Sequence, residues 1–86
     1  MADSSATLGS YKGILCHHWD DELPLITKVL GDFRPSLIVE VGTMYGGFAA
    51  FLADTIYPWG GSVLTIDNVI YDSVYDVCRL RPNLFF

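Results

Sequence analysis

Two acidic residues and a glycine-rich turn carry the chemistry that this sequence could perform. Residues 37–47 have the sequence L-I-V-E-V-G-T-M-Y-G-G, an apolar run that ends in Glu40 and continues into glycines. Residues 62–67, S-V-L-T-I-D, form a second apolar run that ends in Asp67. A glycine turn lets the backbone approach a ligand closely, and a carboxylate after the next strand can accept hydrogen bonds from both hydroxyls of a ribose. The pattern predicts a site for an adenosine-bearing cofactor.

These residues must be positioned by a strand–loop–helix–strand unit of an α/β fold. The run at 37–41 is apolar without alternation up to Glu40, which is typical of a strand that is buried on both faces. Residues 63–66 are predicted to form a second strand. Apolar residues at helical spacing predict a helix that begins near Gly46 and ends before Pro58. Because right-handed crossovers dominate such units, we expect the two strands to be parallel and adjacent, with the two acids at the same edge.

A short helix is predicted on each side of this unit. The first is capped by one of the aspartates at 20–21 and stops at Gly31, where glycine can adopt a left-handed conformation. The second is capped at 72–73 and ends before Pro82. Residues 83–86 are typical of the start of a third strand. The fold class is therefore α/β, with a partial Rossmann-like parallel sheet in the order helix, strand, helix, strand, helix and the beginning of a strand.

The chain divides into a lead-in and one partial domain. Residues 1–19 show no periodicity and are interpreted as a flexible lead-in. Residues 20–86 are interpreted as the N-terminal half-module of a Rossmann-like domain, since 86 residues form at most one domain.

The composition excludes several classes of function. The net charge is −5 and the five lysines and arginines are scattered, which argues against a nucleic-acid surface. The longest uncharged apolar run, between Glu40 and Asp54, is too short to span a bilayer, and the N-terminal residues lack the form of a signal peptide. We therefore expect a cytoplasmic protein with neither a nucleic-acid nor a membrane partner.

The two cysteines, Cys16 and Cys78, are expected to stay reduced and outside any disulfide. Cys16 is followed by His17 and His18, and all three residue types can bind metal. Adjacent residues rarely complete a tetrahedral site, however, and no second pair has the usual ligand spacing. No metal site is predicted.

The spacing of the glycines separates one class of cofactor from another. A dinucleotide fingerprint requires its first glycines two residues apart, whereas Gly42 and Gly46 are four residues apart. The sequence E-V-G-T-M-Y-G-G at 40–47 resembles motif I of class I S-adenosylmethionine-dependent methyltransferases. It is most similar to the E-x-G-x-x-x-G form found in catechol O-methyltransferases and in the cephalosporin-hydroxylase/rhamnosyl O-methyltransferase group. The resemblance extends from about Asp21 to Asp67.

The resemblance implies a role for each residue of the loop. Glu40 would bind the methionine end of S-adenosylmethionine, and Asp67 would hold its ribose. Gly42 would let the backbone pass the methionyl group, while Gly46 and Gly47 would open the helix. The remaining loop residues would line the pocket largely through their backbone: Thr43, Met44 and Tyr45.

One residue departs from the family and two have structural alternatives. Phe48 stands where the family commonly has a serine that bonds the carboxylate of the cofactor, and phenylalanine cannot make that bond. Glu40 could instead pair with the N-terminus of a neighbouring helix. Asp67 could instead cap the helix that follows it.

Two functional interpretations follow. The first is the N-terminal part of an S-adenosylmethionine-dependent methyltransferase that methylates an oxygen of a small molecule or sugar. In the family, the adenine loop and the ligands of a magnesium ion or a catalytic base follow these residues, so the 86-residue chain alone is expected to be inactive. The second is a non-catalytic Rossmann-type nucleotide-binding or interaction module, such as half of a split protein. The free edge of the strand at 37–41 is expected to favour self-association.

Overall fold

The computed structural model describes residues 8–86, with the backbone alone for Leu8 and for residues 17–20. Short 3-10 helices at Asp20–Glu22 and Tyr57–Trp59 supplement the main elements. The strands and helices follow one another along the chain as β1 (Leu8–Tyr11), β2 (Ile14–Trp19), α1 (Leu23–Phe33), β3 (Leu37–Val41), α2 (Gly47–Ile56), β4 (Ser62–Ile66), α3 (Asp72–Arg79) and β5 (Leu84–Phe85).

Three strands form a parallel sheet in the order β3-β4-β5. Leu37 lies opposite Ser62, and the register continues to the pair Val41 and Ile66 at the carboxyl end. β4 in turn pairs with β5 through residues that include Val63. The two predicted strands are therefore parallel and adjacent, and the α/β class with a partial Rossmann-like sheet is confirmed.

Helix α2 connects β3 to β4 and supplies the core. It begins after Gly46 and ends before Pro58, as predicted, because glycine permits the left-handed turn that precedes it and proline cannot continue the ladder. Its small residues bring it close to Val63 and Leu84 of the sheet. Its buried side chains are Ala49, Ala50, Phe51, Leu52, Ala53 and Ile56.

Helix α1 differs from its prediction at both ends. The predicted stop, Gly31, lies inside the helix, and Arg34 is the residue with left-handed backbone (φ 50°), its N–H bonded to the oxygen of Leu30 at 2.7 Å. Pro35 follows immediately and prevents continuation. The aspartates at 20–21 lie in the 3-10 helix and not at the cap position, which Glu22 occupies.

Helix α3 also begins without the predicted cap. The residue before the helix is Tyr71, and Asp72 lies in the first turn, where its negative charge is favourable. Ser73 donates instead to the backbone oxygen of Tyr45 (3.0 Å). Strand β5 begins at Leu84, which confirms a third strand after Pro82.

An antiparallel hairpin, β1-β2, corrects the prediction of a lead-in without regular structure for residues 8–19. Lys12 and Gly13, with φ of 49° and 82°, form its turn, and positive φ at both central residues matches the twist of a two-residue hairpin. The hairpin packs along α2, with Tyr11 edge-on to Phe51 and Cys16 fully buried. This packing on a distant element stabilises two strands that local periodicity did not indicate.

Within residues 8–86, no helix has both the length and the apolar character needed to cross a membrane.

Candidate functional site

The loop between β3 and α2 alternates left-handed and ordinary backbone. Gly42, Met44 and Gly46 have φ values of 97°, 52° and 91°. The N–H of Gly42 donates to the oxygen of Ile66 at 2.6 Å, so the loop leaves the sheet only after this bond. Apart from Gly42 and its two chain neighbours, no described residue has an atom within 4 Å of the position that a Cβ would occupy at Gly42. The loop backbone is therefore open to a ligand at this point.

Glu40 is held by an ordered chain of hydroxyl groups. The hydroxyl of Thr65 donates to Oε1 of Glu40 at 2.6 Å, and Oγ1 of Thr43 lies 2.6 Å from Oγ1 of Thr65. Because a hydroxyl has one proton, Thr43 must donate to Thr65 when Thr65 donates to Glu40. Both threonines are buried. Two uncharged residues thus orient the carboxylate of Glu40, Thr65 directly and Thr43 through Thr65.

The environment of Glu40 disfavours its ionised form. Burial is the largest cause and raises the pKa of Glu40 above its ordinary value, and the negative charge of Asp67 adds to the effect. The hydrogen bond from Thr65 acts in the opposite direction. A positively charged ligand group beside Glu40 would favour the ionised carboxylate. The site is therefore suited to an ammonium or sulfonium group.

Asp67 follows β4 and bonds the loop from the other side. Its Oδ2 accepts from the N–H of Met44 (3.0 Å), and its Oδ1 accepts from the N–H of Val69 (3.2 Å). These backbone bonds, that from Met44 first, lower the pKa of Asp67 and keep it ionised. Each carboxylate oxygen has further lone pairs, so hydroxyl groups of a ribose can still bind.

Neither acid takes the structural alternative that the sequence left open. Glu40 bonds a threonine of the neighbouring strand, and α3 is preceded by Tyr71, four residues after Asp67. Both acids lie at the carboxyl edge of the parallel pair. Parallel α/β sheets bind their ligands at this edge.

A small cavity of about 30 Å³ lies beside Glu40. Asp67 does not line it and is joined to it through Met44. Two other predicted residues also lie outside it: Tyr45 packs against Tyr71, with ring centroids 4.5 Å apart, and Gly46 lies against Val77. The lining residues are Leu15, Glu40, Gly42, Thr43, Met44, Gly47 and Phe48.

Comparison with known proteins relates this geometry to one family. The family model described as rhamnosyl O-methyltransferase/CmcI matches residues 5–83. The chain belongs to this family. Rhamnosyl O-methyltransferases of Mycobacterium bovis (strain BCG / Pasteur 1173P2) and Mycobacterium tuberculosis (strain ATCC 25618 / H37Rv) are each 36% identical to it over 82 residues.

The chain spans about a third of the length of these curated relatives, since the match covers 93% of this chain and 33% of each of them. No solved structure matches the chain. The glycine loop and both acids lie within the residues that the rhamnosyl O-methyltransferase/CmcI model matches. The resemblance found from the sequence is thereby confirmed, while the roles of single residues in cofactor binding stay predictions.

The sequence alone missed two residues of the site, Thr65 and Leu15. Thr65 could be placed in the site only once the parallel register was known, because that register pairs it with Glu40. Leu15 had no local signal, because it belongs to the hairpin. Phe48, at the position where the family commonly has a serine, stacks on the buried Phe51 with centroids 5.7 Å apart and also lines the cavity.

Among the described residues, no group of three or more histidine, cysteine, aspartate or glutamate side chains is placed to hold a metal ion. The side chains of His17 and His18 lie outside the described part of the structure. No disulfide joins Cys16 and Cys78.

A larger groove of about 460 Å³ runs along β3, the strand at one end of the sheet. Among the described residues, Glu40 is the one acidic residue that lines it, and the others are Leu30, Phe33, Pro35, Leu37, Ile38, Val39, Phe48 and Leu52. An apolar groove beside the free edge of a strand is suited to polypeptide and not to a polar cofactor. The small cavity, with its carboxylate and open loop backbone, is the better candidate for chemistry.

Proposed function

We propose that this chain forms the cofactor-binding part of an S-adenosylmethionine-dependent O-methyltransferase that acts on a sugar or another small molecule. The observation that carries the proposal is the oriented carboxylate of Glu40 beside a loop whose backbone is open at Gly42. The relatives named rhamnosyl O-methyltransferase support the reaction type and a sugar as the methyl acceptor. When bound, S-adenosylmethionine supplies a methyl group activated by a positively charged sulfur.

Glu40 and Asp67 would bind different parts of the cofactor. Glu40 would attract the positively charged methionine end, because a buried carboxylate gains most from a nearby opposite charge. Asp67 would accept the ribose hydroxyls with the lone pairs that Met44 and Val69 leave available. Thr65 would keep Glu40 in position between binding events.

The carboxylate of the cofactor would meet a different partner from the one usual in the family. Phe48 has no hydroxyl, but Gly47 and Phe48 are the first residues of α2 and both line the cavity. The N-terminus of a helix carries a partial positive charge that favours an anion. Since a single helix terminus is weaker than a terminus with a hydroxyl donor, we expect weak binding.

Methyl transfer requires donor and acceptor to be held in line. Because the curated relatives are much longer than this chain, we propose that acceptor binding depends on polypeptide corresponding to the rest of those relatives. The isolated 86-residue chain is expected to bind the cofactor without transferring its methyl group. A magnesium ion, where the family uses one, would likewise be bound by residues other than those described here.

A titration of the isotopically labelled chain with S-adenosylhomocysteine, followed by nuclear magnetic resonance, tests the proposal. We expect weak, saturable shifts at Gly42 and Met44. Asp67→Ala should weaken binding by at least about tenfold, since a hydrogen bond to a charged group contributes roughly 1.5–3 kcal/mol. Asp67→Asn keeps an acceptor for the Met44 N–H and should also lose affinity.

The matched control is Asp76→Ala, which removes an exposed acid that pairs with Arg79 on the surface of α3. It should leave binding unchanged. Tight binding that does not depend on Asp67 would contradict the assignment of the ribose site. If the wild-type chain shows no shifts at the highest ligand concentration that the titration reaches, the second interpretation, a non-catalytic interaction module, would be favoured.

The exposed edge of β3 supports one further proposal, self-association of the isolated chain. Strand β3 stands at one end of the sheet, and unpaired strand edges are templates for pairing with other chains. The cytoplasmic location and the lack of nucleic-acid partners stay predictions from the sequence.

A further inference from the structure

We infer that the N-terminal hairpin is a wall of the cofactor pocket and that Leu15 determines what the pocket accepts at its amino-acid end. The inference rests on the proposed function, because it names a residue that would select the same cofactor. It assigns a binding role to a segment, β1-β2, that lies outside the glycine loop.

The lining of the small cavity places Leu15 opposite the loop. Of the seven described residues that line it, six belong to the segment 40–48 and the seventh is Leu15. Leu15 is 40% exposed, so its side chain is not fully packed in the core. Without the hairpin, the cavity beside Glu40 would be an open surface.

Gly47 makes this placement possible. A Cβ at this position would clash with the backbone oxygen of Leu15 and would lie 2.8 Å from that of Ile14. Backbone atoms cannot yield as the end of a flexible side chain can. Strand β2 therefore lies against the first turn of α2 only because residue 47 is glycine, which gives Gly47 a role in pocket shape as well as in opening the helix.

A second attachment holds the hairpin farther along α2. The hydroxyl of Tyr11 donates to Oδ2 of Asp54 at 2.6 Å, and Nζ of Lys12 lies 3.1 Å from the same oxygen. Arg81 donates to Oδ1 of Asp54 at 2.9 Å and fixes the carboxylate from the other side. The hairpin is thus attached to α2 near its turn and at Leu15, and it forms a fixed wall.

The lining of the cavity limits which part of the ligand Leu15 can contact. Glu40 and Leu15 line the same cavity, and Asp67 does not. The group that Glu40 binds would therefore lie beside Leu15, and the ribose would lie on the side of Asp67. A change at Leu15 should therefore affect ligands that have an amino-acid end and spare those that lack one.

The test compares two ligands that share the adenosine and the thioether. S-adenosylhomocysteine has the amino-acid end, and methylthioadenosine lacks it. In the full chain, Leu15→Phe should lower the affinity for S-adenosylhomocysteine by about tenfold or more, because the larger side chain overfills the cavity. The affinity for methylthioadenosine should change by less than about twofold. Leu25→Phe, on the exposed surface of α1, is the matched control and should alter neither affinity.

Two further variants keep the inference testable if Leu15→Phe does not fold. Leu15→Ala removes the wall without adding volume, and it should reduce the preference for S-adenosylhomocysteine over methylthioadenosine. Gly47→Ala should shift the amide resonances of Ile14 and Leu15 and lower the same preference. Equal effects on both ligands, or none, would overturn the inference while leaving the proposed function intact. A wild-type chain that binds neither ligand would overturn the proposed function, and the inference with it.

Discussion

Both faces of the sheet β3-β4-β5 carry apolar side chains, but the two faces differ in exposure. On the face that packs against α2, Val63 and Thr65 have exposed fractions of 0% and 1%. On the other face, Val39, Leu64 and Phe85 lie side by side across the three strands, and their exposed fractions are 54%, 38% and 54%. Large apolar side chains thus occupy both faces, but only one is covered within residues 8–86.

The difference in exposure shows which face of the sheet is covered by elements within residues 8–86. Parallel strands normally have both faces covered, and contiguous apolar surface of this kind marks an interaction site. The sequences of β3 and β4 are therefore suited to two layers, of which α2 supplies one. The chain spans about a third of its curated relatives, which supports the proposal that further polypeptide supplies the other. In a solution of the chain alone, a second copy is the available cover.

The largest expected effect is a loss of stability on the covered side. Ile56→Ala, in α2, removes a fully buried side chain and should lower the free energy of unfolding by about 2–5 kcal/mol. Ile66→Ala, on the open face, should cost less than about 1 kcal/mol, because this side chain is already in contact with water. Urea unfolding followed by circular dichroism measures both. Equal losses would mean that the open face is covered in solution.

A smaller effect is expected on association through the open face. The double variant Val39→Lys/Leu64→Lys places two charges in the middle of that face and should raise the dissociation constant of the self-associated chain by about tenfold or more. Sedimentation equilibrium measures it, and Leu25→Lys on α1 is the exposed apolar control. Should the wild-type chain sediment as a monomer with a cooperative unfolding transition, the proposal of self-association fails.

The smallest effect concerns Glu40 at the edge of the covered face. Its pKa lies above the ordinary 4.5, chiefly because of burial, so the ionised group opposes folding. The penalty accumulates as the pH rises from 4.5 to the raised pKa and is constant above it. Glu40→Gln should therefore increase the free energy of unfolding at neutral pH and leave it nearly unchanged below 4.5.

Glu40→Gln should also lower the affinity for S-adenosylhomocysteine at neutral pH, because the charge that opposes folding is the one that attracts the ammonium group. Wild-type affinity should fall as the pH drops through the raised pKa of Glu40. Urea unfolding and titration at matched pH values provide the two measurements. A glutamine variant that is less stable at neutral pH would refute the assigned origin of the pKa shift.

The central unit of the fold was predictable because its signals are local. The apolar run at 37–41, the glycine before α2 and Pro58 after it each act on the backbone within a few residues. The predicted stop at Gly31 failed for the converse reason. Glycine tolerates a helix interior, and the proline after Arg34 decided where the helix ends.

The site was predictable in part. Glu40 and the glycines of the loop are close together in sequence, and they resemble a motif of the family. Thr65 and Leu15 were missed because their positions depend on strand register and on hairpin packing, which no local pattern records.

The sequence by itself determined the order of strands and helices from α1 onward and the two acids at the strand ends, because periodicity, glycine and proline act on neighbouring residues. The resemblance of its glycine loop to a known motif indicated the class of protein. Only the tertiary structure decided that β2 lies against Gly47, that a buried hydroxyl chain orients Glu40 and that one apolar face stays exposed. Each of these depends on contacts between residues far apart in the chain. Such contacts form only when the sheet register and the packing of α2 bring those residues together.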